Sequence, residues 1–534
     1  MKRAWSTLLA LMLLLGTISM AQAEDAGAKL IFQMSEEPTR MDPTMNDYST
    51  GSYAIQSLFR SLYKFAEDGT IVPAMAQGHD VSDDGTVYTF YLREGLMWSD
   101  GSPLTAHDFE YSWKRVLNPE FSSETAYSLF NIIKDGYACF VEGTVAVEDL
   151  PIRALDDLTL EVELAAPIPY FVSMTVSGVF CPVKKEVVEA NPDGWEWDDS
   201  AFVSNGPFRV RQMLRDERFI FEKNPYYYNA DEVKIDVLEY VFLPASDTAL
   251  LAFDNGDVDV AVSVNADALA KYNDTDNLLK TSRIGYRWYE FRTDHEPFDD
   301  ARVRRALAMS IDREVITNAV MKTFEQPLMG FIPNGFPDIV DPSRDWREVH
   351  GSTFAEDVET AKTLLAEAGF PNGEGFPSFR LVCIPDATLE LVAQAMAAMW
   401  KDNLGIEAEI LTVESGIYWA DAGTRKMGEF EICYMGYTGD NLDPSSILYT
   451  FTSHDNESTQ WVNEEYDELM RFVSTGITGQ EREDAFVRAE EILTEEMPVI
   501  PIYNYASLAL VSDHVGGFTR NYGGHPIFEY AYLK

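Results

Sequence analysis

Cysteine is scarce in this chain: four among 534 residues, Cys139, Cys181, Cys383 and Cys433. None is close enough to another for a CxxC pair, which excludes a redox dithiol and a zinc knuckle. In an oxidising compartment Cys139 with Cys181 and Cys383 with Cys433 are placed to bridge within a domain, the second pair in two apolar strand-like runs; the other reading is four buried thiols. The seven histidines, at 79, 107, 295, 350, 454, 514 and 525, form no i,i+4 pair, so a zinc-protease motif is missing. A GxSxG elbow, a Walker A loop and a dinucleotide glycine fingerprint are missing as well. A carboxylate pair of the glycosidase kind has no fixed spacing to look for among so many acids. No catalytic or metal-ligating residue and no cofactor is expected. Cations are also in short supply, 41 Lys+Arg against 88 Asp+Glu, for a net charge of -47. Such a surface disfavours nucleic acid and anionic membrane as partners. It reads as a solvated, self-repelling exterior and identifies no ligand.

Long apolar runs are confined to the N-terminus. Lys2 and Arg3, an apolar stretch from Leu8 to Leu15 and Ala21-Gln22-Ala23 before Glu24-Asp25 make residues 1–23 a cleavable secretory signal. The stretch is too short for a membrane span, which needs about 20 apolar residues. Glu24, not cysteine, follows the expected cleavage site, so no lipobox is present. The expectation is secretion across the inner membrane to the periplasm or the cell surface, without a lipid tether.

What is present suits a chain of two to four domains with ample core, 46% apolar and 13% aromatic. Strand patterns occur at Val87–Leu92, Leu158–Leu164, Val237–Phe242 and Ile406–Val413. Helix periodicity runs over Asp300–Val320 behind an Asp cap, with Val303, Leu307, Ile311 and Val315 inward and Arg302, Arg304 and Arg305 outward. Further helices are expected over Leu389–Asn403 and Gln480–Glu495. Leu381–Ile384, the second of these helices and Ala408–Leu411 form a strand-helix-strand unit, hence a parallel sheet with a right-handed crossover. A strand at Phe430–Met435 follows, and the loop Gly436–Asp440 leaves its carboxyl end, where open α/β sheets bind ligands. The acidic run around Gly256 lacks calcium-loop spacing and reads as a helix stopped by that glycine.

Several segments resemble the family 5 bacterial solute-binding proteins, the oligopeptide- and dipeptide-binding components of ABC transporters. The longest is Val81–Gly95 continuing through Trp98-Ser99-Asp100-Gly101 to Phe109. Others are Met41-Asp42-Pro43, Asn205-Gly206-Pro207-Phe208, Glu222–Tyr227, Pro297–Leu307 and Met497–Tyr503. The resemblance implies an α/β, two-lobe Venus-flytrap fold with an additional inserted domain, mixed sheets and a hinge of two crossing strands. Lobe I would comprise 24–59, 195–282 and 507–534, a β-rich domain II 60–194, and lobe III 283–506. Phe430–Pro444 is similar to the family's ligand-contacting segment. By that likeness Asp440 pairs with a peptide's α-ammonium, and Gly436, Tyr437, Thr438 and Gly439 offer backbone to it. Asp47, Tyr48 and Ser49 would supply a second backbone strand, and Tyr505 with Trp419 or Tyr418 an aromatic wall. Tyr434 departs from the pattern, standing where some members carry an arginine that holds a short peptide's carboxylate. The partners implied are short peptides and a membrane permease, the protein itself being a monomer. Members binding nickel complexes, haem or oligosaccharides mark the alternative ligands, and a secreted hydrolase the alternative class.

Overall fold

The structure is a computed structural model that describes residues 27–534 except 47, 122, 124, 323, 421–424, 426, 427, 429 and 457. The expected signal at 1–23 and Asp47 therefore lie outside the described residues. No described helix is long and apolar enough to cross a membrane.

One mixed sheet of eleven strands organises the molecule. At one end lie the parallel strands Ala408–Thr412 and Phe379–Cys383, then Ile432–Thr438. At the other lie Val260–Ala261, Lys29–Met34, Val237–Phe242, Arg218–Lys223 and Phe208–Leu214. The two halves are joined through the longest strands, Leu278–Phe291 and Val499–Val511, which pair antiparallel from Leu278 opposite Leu510 to Glu290 opposite Val499. Their pairing breaks between Ser282 and Tyr286. This is the expected pair of crossing strands. A ladder interrupted at mid-length bends more easily than a continuous one.

Each half buries its own core. Trp288, Phe298, Trp346 and Trp400 sit in one. Phe32, Phe59, Phe90, Trp113 and Trp195 sit in the other. A separate antiparallel sheet of Ala76–Val81, Val87–Leu92, Thr159–Glu163 and Ile152–Asp156 falls within the stretch expected to be inserted, and its inner residues merge with the second of these cores. Thr105 and Asp108 cap the adjoining helix Ala106–Val116 reciprocally, and Gly101 turns the chain with φ +83°. The expected helix stop is present too, since Gly256 takes a left-handed φ of +77° after helix Ser246–Asn255.

Two expectations are corrected. The helix over 300–320 is broken: Ala301–Met309 is α-helical, and Val315–Met321 is a π-helical turn. Arg313 lies between them, fully buried, its guanidinium taking the carbonyls of Ala308, Ile311 and Pro501. Arg304 is not on an outer face; it is buried, donating 2.8 Å to the Glu496 carbonyl at the end of helix Gln480–Glu496. All four cysteines are buried free thiols. Val382 pairs with Cys433 across neighbouring strands, so Cys383 is one residue out of register and faces the opposite side.

Buried charges in this fold are compensated. Glu529 holds Arg60 at 2.8 Å and Lys64 at 2.5 Å. Asp42 holds Arg115 at 2.8 Å, Asp443 holds Arg482 at 2.6 Å, and Glu290 holds Arg425 at 2.9 Å. Glu490 pairs with Arg347. Removing one partner of such a pair strands the other in low dielectric.

Candidate ligand-binding cleft

Strand Ile432–Thr438 runs antiparallel along the crossing strand, with Ile432 opposite Phe291 and Thr438 opposite Gly285. On its other side it pairs with Phe379–Cys383 only at Ile432 and Cys433. Beyond Cys433 that edge has no strand neighbour among the described residues, and an unpaired edge is a template for an added strand. Gly436, Tyr437 and Thr438 are thus strand residues, whereas a loop was expected; only Gly439 and Asp440 leave the ladder.

Two glycines are fixed by close approach. A Cβ on Gly436 would sit 1.9 Å from the Tyr505 hydroxyl. One on Gly439 would meet Ser446 Oγ at 2.6 Å. The Tyr505 hydroxyl and the backbone of Gly436 are therefore in close contact, which brings two predicted residues from distant strands together.

Asp440 stands where the strand ends. Its carboxylate accepts 2.6 Å from the Tyr437 hydroxyl, and its carbonyl accepts 3.0 Å from Tyr522 Oη. The residue is open to the water of the cleft, yet protein surrounds the carboxyl closely enough to push its pKa up by desolvation, against the Tyr437 hydrogen bond. No basic side chain forms an ion pair with it among the described residues. Here the molecule departs from its own rule of paired charges.

A cavity of about 290 Å³ opens beside Asp440, lined by Ser49, Gln56, Arg283, Thr438, Tyr522 and His525 among others. A second of about 160 Å³ also touches Asp440, and a third of about 720 Å³ shares Asn521 and Tyr522 with the first. Both halves of the sheet contribute walls. His525 is pushed down to about 3 by burial and by Arg283 and Arg520, so it faces the cavity as a neutral ring.

The remaining predicted residues fall as follows. Tyr48 is extended and half-exposed, but Ser49 begins the helix Ser49–Leu58, so this segment turns into a helix where a second strand was expected. The cause is local: the Tyr48 carbonyl accepts from Ser52 N at 3.0 Å and from the Asn46 amide at 3.0 Å. Ser49 nonetheless lines the cavity. Tyr418 is core, its hydroxyl donating 2.5 Å to the Tyr434 carbonyl. Trp419 is 43% exposed and packs edge-on to Tyr434, away from the Asp440 cavities. Sequence reasoning missed Arg283 and Arg287. The available signal was their i,i+4 spacing on one face of a strand, with Gly285 between.

The family described as "Bacterial extracellular solute-binding proteins, family 5 Middle" matches residues 70–459. The chain belongs to that family. It is 31% identical over 512 residues to the dipeptide-binding protein DppE of Bacillus subtilis, covering 95% of this chain and 91% of the relative. Among solved structures, the murein tripeptide-binding protein MppA in its unliganded open form superposes with a TM-score of 0.81 at 29% identity, covering 95% of this chain and 98% of the other. Haemophilus influenzae OppA in complex with the peptide RPPGFSPFR superposes at 0.72 and 26% identity, covering 95% and 99%. The two-lobe fold of this family 5 chain is thus shared over nearly its whole length.

Proposed function

We propose that this protein captures short peptides in the cleft and delivers them to the membrane permease of an ABC transporter, as a monomeric secreted binding protein and not an enzyme. The observation that carries the reading is the Asp440 carboxylate, which forms no ion pair among the described residues, at the end of a strand whose edge has no strand neighbour beyond Cys433 among them. A peptide's α-ammonium supplies the missing cation, and its backbone supplies the missing ladder partner without regard to side chains. The two cavities that Asp440 lines leave room for side chains of varied size, with water as an adjustable partner. Lobe boundaries at 282/283 and 506/507, with 60–194 inserted, place the change of lobe next to the interrupted ladder. Ligand contacts from both lobes exist together only when the cleft is closed, so binding favours closure. The names of the relatives above, which bind dipeptides, a murein tripeptide and RPPGFSPFR, support the same reading.

The test is mass spectrometry of whatever co-purifies with the protein after mild denaturation, paired with calorimetry of a tripeptide and its N-acetylated form. Short peptides carried by the native protein and absent from Asp440→Ala, with acetylation weakening binding at least tenfold, are expected. A sugar or a metal complex as the carried ligand, or indifference to acetylation, would remove Asp440 from its role.

A further inference from the structure

Two buried acids outside the cleft also depart from the rule of paired charges. Beyond the five acids given above, Glu196 holds Arg40 at 3.2 Å, and Glu239 holds Lys29 at 2.5 Å and Arg218 at 2.7 Å. That leaves Asp338 and Glu483 as the buried acids with neither arginine nor lysine in an ion pair among the described residues. They share one histidine instead: His350 Nε2 lies 3.1 Å from Asp338 Oδ2 and 3.8 Å from Glu483 Oε1. Two carboxylates withdrawn from water bring two negative charges, and a single imidazole balances at most one of them. No local spacing announces the group, since Asp338 and His350 are 12 residues apart and Glu483 comes from helix Gln480–Glu496.

The three side chains are held in a definite arrangement. Asp338 Oδ1 accepts from the backbone N–H of Val340 at 3.2 Å and of Asp341 at 2.8 Å, and Glu483 Oε2 accepts from Val340 N–H at 3.1 Å. One oxygen of each carboxylate is thus engaged, and the other is turned toward His350. Glu483 Oε1 has the Gln480 amide as a further contact, at 3.4 Å. His350 ends the short helix Trp346–His350, its ring on that of Trp346 with centres 4.0 Å apart, and the Trp346 indole N–H donates 3.1 Å to Glu490. One ligand atom from each of the three lies within 4.8 Å of the other two. Donors around one tetrahedral zinc stand about 3.4 Å apart. His350 and Asp338 are already at that spacing, and Glu483 has the short distance left to move.

We propose that Asp338, His350 and Glu483 bind one divalent ion of the zinc class, which fastens the segment 338–350 to helix Gln480–Glu496. The ion's two positive charges cancel the two carboxylates, with His350 ligating as a neutral imidazole. A nitrogen among the donors favours Zn²⁺ over Mg²⁺ and Ca²⁺, which take oxygen. The His350 side chain is 19% exposed, so water reaches the group and completes the coordination. None of the three residues lines the cavities beside Asp440. Residues 335–337 and 342–345 do line the cavity of about 720 Å³, and an ion here anchors the segment that supplies that wall. The proposal stands apart from what the cleft carries.

Calorimetric titration of the full secreted chain with ZnCl₂, after stripping with a chelator and in excess Mg²⁺ to occupy oxygen-only surface sites, is the test. One tight ion per chain is expected, together with a melting midpoint that rises by a few degrees and falls back on adding chelator. His350→Gln should weaken that site by at least about tenfold and remove the rise in midpoint. Asp338→Asn, judged separately, should do the same. His514→Gln, which alters a surface histidine 2.8 Å from Asp259, should leave both readouts unchanged. Co²⁺ in place of Zn²⁺ should give the native protein the visible absorption of a four-coordinate nitrogen and oxygen site, a readout that needs no variant to fold. Absence of a saturable zinc site or of that absorption in native protein overturns the proposal and leaves His350 alone between the two carboxylates. Zinc bound as tightly by a folded His350→Gln overturns it too, by placing the ion elsewhere on the acidic surface. Trialanine binding measured beside these titrations reports on the cleft separately, so its failure would count against peptide capture and not against the metal site.

Discussion

A single carboxylate illustrates how much one residue's surroundings decide. Desolvation raises the pKa of Asp440 against the Tyr437 hydrogen bond, so its surroundings disfavour the charged form. A bound ammonium reverses that. Affinity for a peptide with a free N-terminus should therefore fall on acidification, beginning above the ordinary Asp range near 3.9, while Asp440→Asn shows a flat profile. His525 adds nothing between pH 5 and 8, because it is already neutral there. The stability linkage has the opposite sign. A carboxyl whose folded pKa is raised binds protons more tightly in the native state, so it opposes folding above that pKa, and the opposition disappears as pH drops. Asp440→Asn should accordingly melt higher than native protein at pH 7 without ligand, read by calorimetric scanning. An unchanged or lower midpoint would mean the carboxyl is better solvated than its neighbours imply.

At the scale of elements, the site depends on strands that pack too closely for side chains at particular points. Gly436 is one. Its neighbour across the crossing strands is the far end of the Tyr505 side chain, so Gly436→Ala should weaken peptide binding and cost about 1–3 kcal/mol of stability as an overpacked contact. Tyr505→Phe in the same chain removes the clashing oxygen and should restore most of the loss, which denaturant titration of the two variants and their combination will show. If the double variant is no better than Gly436→Ala, the strands are held apart by something other than this contact. The strand-helix-strand unit around Ala387–Leu404 was legible from pattern because its helix carries an apolar stripe, an Asp386 cap and Gly405 at its end. The break at Arg313 was not legible. A buried arginine that takes carbonyls from the end of the preceding helix and from the distant Pro501 has no periodic signature, and the apolar spacing of Val303 to Val315 continues smoothly through it.

For the whole molecule, the chain's two ends are fastened by charge as well as by the sheet. Glu529 lies five residues from the C-terminus and is buried against Arg60 and Lys64. Burial raises its pKa, but the two cations prevail and hold it below the ordinary value. Its contribution to folding is thus present above the unfolded Glu value of about 4.3 and lost as pH falls through the lower folded one. Glu529→Gln leaves two buried cations unpaired and should cost about 3–5 kcal/mol at pH 7, measured by urea unfolding. A loss near zero would show that water reaches Arg60 and Lys64. The sequence by itself determined the two-lobe architecture, because strand and helix periods and a family-specific run of residues are local properties of the chain. It also pointed to Asp440, through a gapless match in one segment. Only the tertiary structure decided that Asp440, Arg283 and Arg287 form no ion pair among the described residues, while Glu529, Asp42, Asp443, Glu290 and Glu490 do. Whether a charge is compensated depends on side chains hundreds of residues away, and no local pattern records that.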